Sequence, residues 1–203
     1  MKKYIVALLS LVVFFTVSAN ILNEPNNLKD GDIIFQSSQS GQSLAVQLAT
    51  GSKYSHVGVV FIEDGKPYVL EAVEPVKITP LKEFASHGDR GEYIVKRLKG
   101  GVTSDQVAKI KAQGRSWLGK HYDLFFNWDM SRLYCSELVW KLYKNNVGVE
   151  LGKTKKLKDY NLTHPIVQGK LKERYGDDIP WEDPMISPGA IFESNLLETV
   201  FEN

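Results

Sequence analysis

The chain holds one cysteine, Cys135, and four histidines, His56, His87, His121 and His164. A cysteine without a partner is either a small buried hydrophobe or a thiol with a chemical task, and a thiolate set beside an imidazole is an acyl-transfer nucleophile with its base. Three of the histidines read as structural or solvated. His87 lies in the polar turn Ser86-His87-Gly88-Asp89, His121 lies in a loop, and His164 precedes the helix-starting Pro165. His56 opens a Val- and Ile-rich run to Ile62, which is followed by the turn pair Asp64-Gly65 and a returning strand from Tyr68 to Val73. With Asp64-Gly65 at the turn centre, Glu63 faces Lys66, Gly58 faces Glu71 and His56 faces Val73. His56 and Glu71 then share one face as diagonal neighbours, ~7–8 Å apart between Cα atoms. The opposite face (Val57, Val59, Phe61, Tyr68, Leu70 and Ala72) is apolar. A carboxylate in so apolar a strand is costly unless partnered, and His56 is the available partner. An ion pair at a sheet edge without chemistry is the alternative reading of the same spacing.

The remaining elements must bring Cys135 to that pair. Gly31 to Phe35 reads as a strand, Ser43 to Ala49 as a helix with Leu44 and Leu48 on one face, Val76 to Thr79 as an edge strand and Leu81 to Ser86 as a short helix. A further strand runs from Glu92 to Leu98, so the middle of the chain is antiparallel β. Thr103 with Gln106 fits a capping box for a helix that Gly119 closes. Residues 120–133 form an aromatic loop, and Leu138, Val139, Leu142 and Tyr143 make the buried stripe of a helix from Cys135 to Asn146. Cys135 therefore falls in a first helical turn, where the dipole favours thiolate. Pro165 to Tyr175 is a last helix with Pro at its start and Gly176 beyond its end. The lysines at 153, 155, 156 and 158 read as a solvated face.

A chain of 203 residues with 43% hydrophobic and 24% charged residues fits one globular domain and excludes disordered and multi-span classes. Its 25 basic and 24 acidic residues lack the positive excess of a nucleic-acid-binding domain. Residues 1–19 read as a signal peptide, with a Lys2-Lys3 start, an apolar run from Tyr4 to Val17 and Val-Ser-Ala before the cut. That run is shorter than the ~20 residues of a spanning helix, so no stable membrane anchor is expected. Residues 20–203 form the single mature domain, expected in the periplasm or outside the cell; oligomeric state is not legible.

Five segments in order, Gly31-Asp32-Ile33-Ile34-Phe35, Tyr54-Ser55-His56-Val57-Gly58, Leu70-Glu71-Ala72-Val73, Gly119-Lys120-His121-Tyr122-Asp123 and Tyr134-Cys135-Ser136-Glu137-Leu138, resemble the circularly permuted papain-like amidases of the YiiX/YaeF type, distant permuted relatives of NlpC-type cell-wall peptidases. The resemblance runs from about Asp30 to the 170–176 stretch. It implies an α+β papain-like fold with a small antiparallel barrel-like sheet packed with helices, and catalytic roles for Cys135, His56 and Glu71. The expected reaction is acyl transfer: Cys135 attacks a carbonyl, His56 protonates the leaving amine and then activates water, Glu71 holds the imidazole tautomer, and the Cys135 backbone N–H stabilises the oxyanion. Tyr54, Tyr122 and Tyr134 are candidates for substrate binding, and Asp32 and Glu137 for receiving a substrate ammonium. No cofactor is expected, and neither a His-Glu-x-x-His nor a second cysteine offers a metal site. Amide hydrolysis of a small or cell-wall peptide leads. The alternatives are an acyltransferase or lipid hydrolase of the lecithin retinol acyltransferase-like type, for which the aromatic loop would suit an acyl chain, and a non-catalytic cell-wall binding module.

Overall fold

A computed structural model describes residue 25 and residues 27–128 and 131–203. The signal peptide expected at residues 1–19 lies outside the described residues. Six strands, β1 (Ile33–Gln36), β2 (His56–Glu63), β3 (Lys66–Glu71), β4 (Lys77–Pro80), β5 (Ile94–Leu98) and β8 (Leu197–Glu202), form one sheet in the order β4-β3-β2-β1-β5-β8. Every pairing in it is antiparallel. A two-stranded ribbon pairs β6 (Lys155–Lys156) with β7 (Pro184–Met185). The helices are α1 (Ser43–Thr50), α2 (Leu81–Ser86), α3 (Ser104–Ser116), α4 (Cys135–Val147), α5 (Pro165–Tyr175) and α6 (Pro188–Phe192).

The alternation along β2 and β3 assigns the two faces. Val57, Val59, Phe61, Leu70 and Ala72 join Ile110, Leu138, Leu142 and Tyr143 of α3 and α4 in the larger core. Val60 and Val69 join Leu81, Phe84 and Ala85 of α2 in a second, smaller one. Period-two patterning thus buries both sides of the hairpin, each against a different helix layer.

The capping box forms as the spacing requires: Thr103 N–H donates to Gln106 Oε1 at 2.9 Å, and Gln106 N–H to Thr103 Oγ1 at 3.3 Å. Helix α1 forms over Ser43–Thr50 where the pattern places it. It buries Ser43 and Ala45 while Leu44 stands exposed, because the Ser43 hydroxyl bonds that of Ser55 at 2.6 Å and holds that face inward. The chain after Tyr175 supplies β7, α6 and β8, none of which its patterning announced.

Candidate active site

Asp64 and Gly65 both have positive φ, 49° and 76°, as a two-residue hairpin turn that matches strand twist requires. The register that follows pairs Glu63 with Lys66 and Val59 with Leu70. Continued one residue, it sets Gly58 opposite Glu71 and so places His56, two residues before Gly58, diagonally from Glu71 on one face, and their side chains meet: His56 Nε2 lies 2.6 Å from Glu71 Oε2. The other carboxylate oxygen accepts from Thr79 Oγ1 at 2.6 Å. Glu71 is 1% exposed and His56 8%, so the pair is shielded from water. The His56 ring stacks on Phe84 of α2 at 5.7 Å between centroids. Gly58 makes room mainly for Val69: a Cβ there would stand 2.4 Å from Val69 Cγ1 and 2.9 Å from the Leu70 carbonyl oxygen.

Cys135 is the first residue of α4, after Tyr134 in extended conformation. Its thiol is electrostatically paired with the His56 side chain and lies near the backbone of Val57 and Ser136. Since Nε2 is held by Glu71, Nδ1 is the ring nitrogen left for the thiol. Burial alone pushes the Cys135 thiol up, but the His56 bond and charge outweigh it and the net shift is downward. Burial likewise opposes the His56 cation, yet bonds to Cys135 and Glu71 raise its pKa to about 10. Burial raises Glu71 too, and its bonds to His56 and Thr79 bring the net shift below the usual carboxylate value. The three groups thus favour thiolate, imidazolium and carboxylate in line, which is the charge state for nucleophilic attack followed by protonation of a leaving group.

Two hollows meet at this line. An apolar cleft of about 790 Å³, its solvent-open mouth included, is lined by Cys135, Tyr122, Phe126, Tyr134, Leu157, Val167, Met185 and Ile186. A second groove beside it, richer in polar side chains, is lined by His56, Glu71, Gln36, Ser38, Gln39, Ser40, Glu74 and His87 together with Ala72, Val73 and Leu124. Gln42, Ser55 and Tyr122 border both. Tyr122 Oη accepts from Gln42 Nε2 at 3.1 Å, and Tyr122 lines the same cleft as Cys135, whose thiol is its electrostatic neighbour. Burial, and then the charge of Cys135, push the Tyr122 phenol well above its ordinary pKa, so it remains a donor. Tyr134 Oη accepts from Ile186 N–H at 3.2 Å, and Ser136 Oγ donates to Ile186 O at 2.8 Å, stitching the cleft wall to the start of α4.

Three residues expected at the substrate site lie elsewhere. Tyr54 packs between Phe35 and Phe192, with ring centroids 5.9 and 4.2 Å away, and lines neither hollow. Asp32 is buried under a bidentate Arg97, whose Nε and terminal nitrogen donate at 2.6 and 2.7 Å, so its charge is already matched. Glu137 has no exposed surface; it pairs with Lys141 at 2.6 Å and accepts from Tyr134 N–H at 3.4 Å, reaching back across the helix start as a cap does. Burial raises its pKa to about 7 despite Lys141. Of the other histidines, His121 pairs with Glu74 at the surface and His164 accepts from Ile166 N–H to cap α5. Lys156 and Lys158 pair with Glu182 on the outer face. Thr79, Gln42 and the cleft residues of α5 escaped sequence reasoning. Thr79 had a signal, since β4 beside β3 puts it on the Glu71 face.

A buried thiol at a helix start, an imidazole opening a strand and a carboxylate on its hairpin partner, on helices packed against an antiparallel sheet, define the papain-like cysteine hydrolases. The order His, Glu, Cys along the chain sets the permuted form. The chain belongs to the family of permuted papain-like amidase enzymes of the YaeF/YiiX type, family C92, whose model matches residues 27–201, and is an enzyme of that class. It is 51% identical over 170 residues to an uncharacterized protein, YiiX, of Escherichia coli strain K12, with 84% of each chain covered. A crystal structure of YiiX from Escherichia coli O157:H7 superposes with a TM-score of 0.84 at 50% identity, covering 86% of this chain and 97% of that one. That protein is described as a metalloprotein. Among the described residues of this chain no group of three or more His, Cys, Asp and Glu side chains could hold a metal ion, and His56 and Glu71 are engaged with each other. The donor set does not fit a metal centre, and no step below passes through one.

Proposed function

We propose that this chain is an exported cysteine amidase that cleaves an amide bond in a small peptide or a cell-wall peptide through a thioester on Cys135. One observation carries the reading: the buried line Glu71, His56, Cys135, in which burial is overcome and the thiolate form favoured. Cys135 Sγ attacks the carbonyl carbon, and the oxyanion that forms meets the Cys135 backbone N–H at the start of α4 and the Tyr122 hydroxyl. The imidazolium then passes its Nδ1 proton to the departing nitrogen, leaving a thioester and a neutral imidazole. Water, deprotonated by the same nitrogen, attacks the thioester; the acid departs and Cys135 and His56 regain their charges. His56 lines the second groove and Cys135 the apolar cleft, so the amine portion of the substrate is assigned to the His56 side and the acyl portion to the apolar cleft.

That division favours one second reading. A cleft lined by Phe126, Val167, Leu157 and Met185 suits an acyl chain, and a thioester resolved by an alcohol or by water gives acyl transfer or lipid hydrolysis. The test is turnover of peptide and cell-wall peptide amides, run beside N-acyl and ester lipids, with the wild type and Cys135→Ala. Peptide turnover abolished by the substitution supports the amidase; turnover of lipids alone supports the second reading. The signal-like start supports export, which N-terminal sequencing of periplasmic or secreted protein tests: Asn20 as first residue is expected, and a retained Met1 contradicts it.

A further inference from the structure

Arg174 of α5 lies half-buried in the wall of the apolar cleft and has no carboxylate partner among the described residues. Its guanidinium stands over the Phe126 ring at 4.4 Å, contacts the Tyr175 phenol and donates to Gln42 Oε1 at 2.9 Å. A guanidinium has only donors, so it fixes which end of the Gln42 amide faces it. The oxygen is turned to Arg174, and Nε2 is therefore turned to Tyr122, whose oxygen must accept. A phenol oxygen that accepts from Gln42 has its own proton left to give, and Cys135 stands on the wall of the same cleft as an electrostatic neighbour of that phenol.

We infer that Arg174 is a positioning residue for the acyl-transfer step: through Gln42 it sets the direction of a hydrogen-bond relay, Arg174 to Gln42 to Tyr122, that aims the Tyr122 proton at the reacting centre. The inference rests on the reading of Cys135 as the acyl-transfer nucleophile. It differs from a structural role because it depends on donor direction as well as on packing. Gln42→Glu shows the difference. Glutamate has the same shape and would pair with Arg174 more strongly, but it presents acceptors to both neighbours, so the Tyr122 proton turns to it and away from the sulfur.

The experiment follows acylation of Cys135 by p-nitrophenyl acetate, whose leaving group needs no proton, as the burst of nitrophenolate. Alkylation by iodoacetamide at pH 8 runs in parallel, because it consumes the same thiolate without forming an oxyanion. Tyr122→Phe is expected to slow acylation about 100-fold, the scale of losing one oxyanion donor. Gln42→Glu should come within about threefold of that loss, and Arg174→Met should cost about tenfold while alkylation stays within threefold of the wild type. Arg174→Lys keeps a donor and should recover part of the rate. In the Tyr122→Phe background neither Gln42→Glu nor Arg174→Met should slow acylation further, since the relay has lost its end. Full-rate acylation by folded Gln42→Glu, or an Arg174→Met loss that persists undiminished without the Tyr122 hydroxyl, overturns the inference. Should Arg174→Met fail to fold, the isosteric Gln42→Glu decides alone. Acylation that does not occur at Cys135 at all, with alkylation intact, instead refutes the nucleophile reading on which the inference stands.

Discussion

Replacing Glu71 by Gln removes one charge and keeps one shape, and the surroundings dictate what else changes. The carboxylate holds His56 Nε2 at 2.6 Å through one oxygen and accepts from Thr79 Oγ1 at 2.6 Å through the other. In the variant the amide could turn either way at His56, but a nitrogen directed at Nε2 would force the imidazole proton onto Nδ1, the nitrogen that must face the thiol. The protonated Nε2 selects the amide oxygen, and Thr79 permits that orientation, because its hydroxyl, which donates to the carboxylate, can instead accept from the amide nitrogen. The variant therefore loses the charge while retaining the tautomer. A hydrogen bond to a charged group contributes roughly 1.5–3 kcal/mol, which corresponds to a fall in kcat/KM of about 10- to 150-fold. His56→Ala, which removes the proton carrier, should lose more. Adding Thr79→Val to Glu71→Gln leaves the buried amide nitrogen without an acceptor in the productive orientation and should lower the rate below either single variant. The assay is kcat/KM on whichever amide the wild type turns over, beside a thermal-unfolding check on each variant. Wild-type activity in Glu71→Gln, or a loss equal to that of His56→Ala, would refute the reasoning.

The lowered thiol and raised imidazole fix the sign of a pH profile: the ion pair forms as pH rises through the Cys135 value and persists until His56 loses its proton near pH 10. Iodoacetamide should therefore alkylate Cys135 well below the ~8.5 of a free thiol, and His56→Ala should shift the rise upward; superimposed profiles would contradict the pairing. Arg97→Met strands the buried Asp32 carboxylate and should cost about 3–5 kcal/mol in denaturant unfolding, with the folded fraction retaining its turnover number. Gly58→Ala drives a methyl against Val69 and the Leu70 carbonyl beside the His56–Glu71 pair. It should cost about 1–3 kcal/mol of stability, seen as a lowered Tm, and should reduce activity as well.

The His56–Glu71 pair was legible because every quantity that sets it is local. Asp64-Gly65 fixes the turn, the turn fixes the register, and a period of two fixes the face. The placement of Cys135 at a helix start was legible from the apolar stripe that follows it. The cleft was not, since its walls come from α1, the 120–133 loop, α5 and residues 185–188, whose meeting depends on tertiary packing that no local period encodes. Asp32 and Glu137 show the complementary error. Each is a carboxylate in a motif that also contains site residues, and each is neutralised by a cation 65 or 4 residues away whose partnership the spacing alone did not reveal. Tyr54 precedes His56 by two positions, yet its ring turns into the core against Phe192. Strand β8 is not legible in the sequence because it pairs with β5 across about a hundred residues of intervening chain.

The central claim is that the acyl group of the substrate passes through Cys135. The direct measurement is mass spectrometry of protein quenched in acid during turnover, with the peptide containing Cys135 analysed for added mass. The account predicts a substrate-derived acyl adduct on that residue in the wild type, its accumulation in a variant that acylates but deacylates slowly, and its absence together with turnover in Cys135→Ala. Turnover that persists in Cys135→Ala, or an acyl adduct found only on another residue, would contradict it.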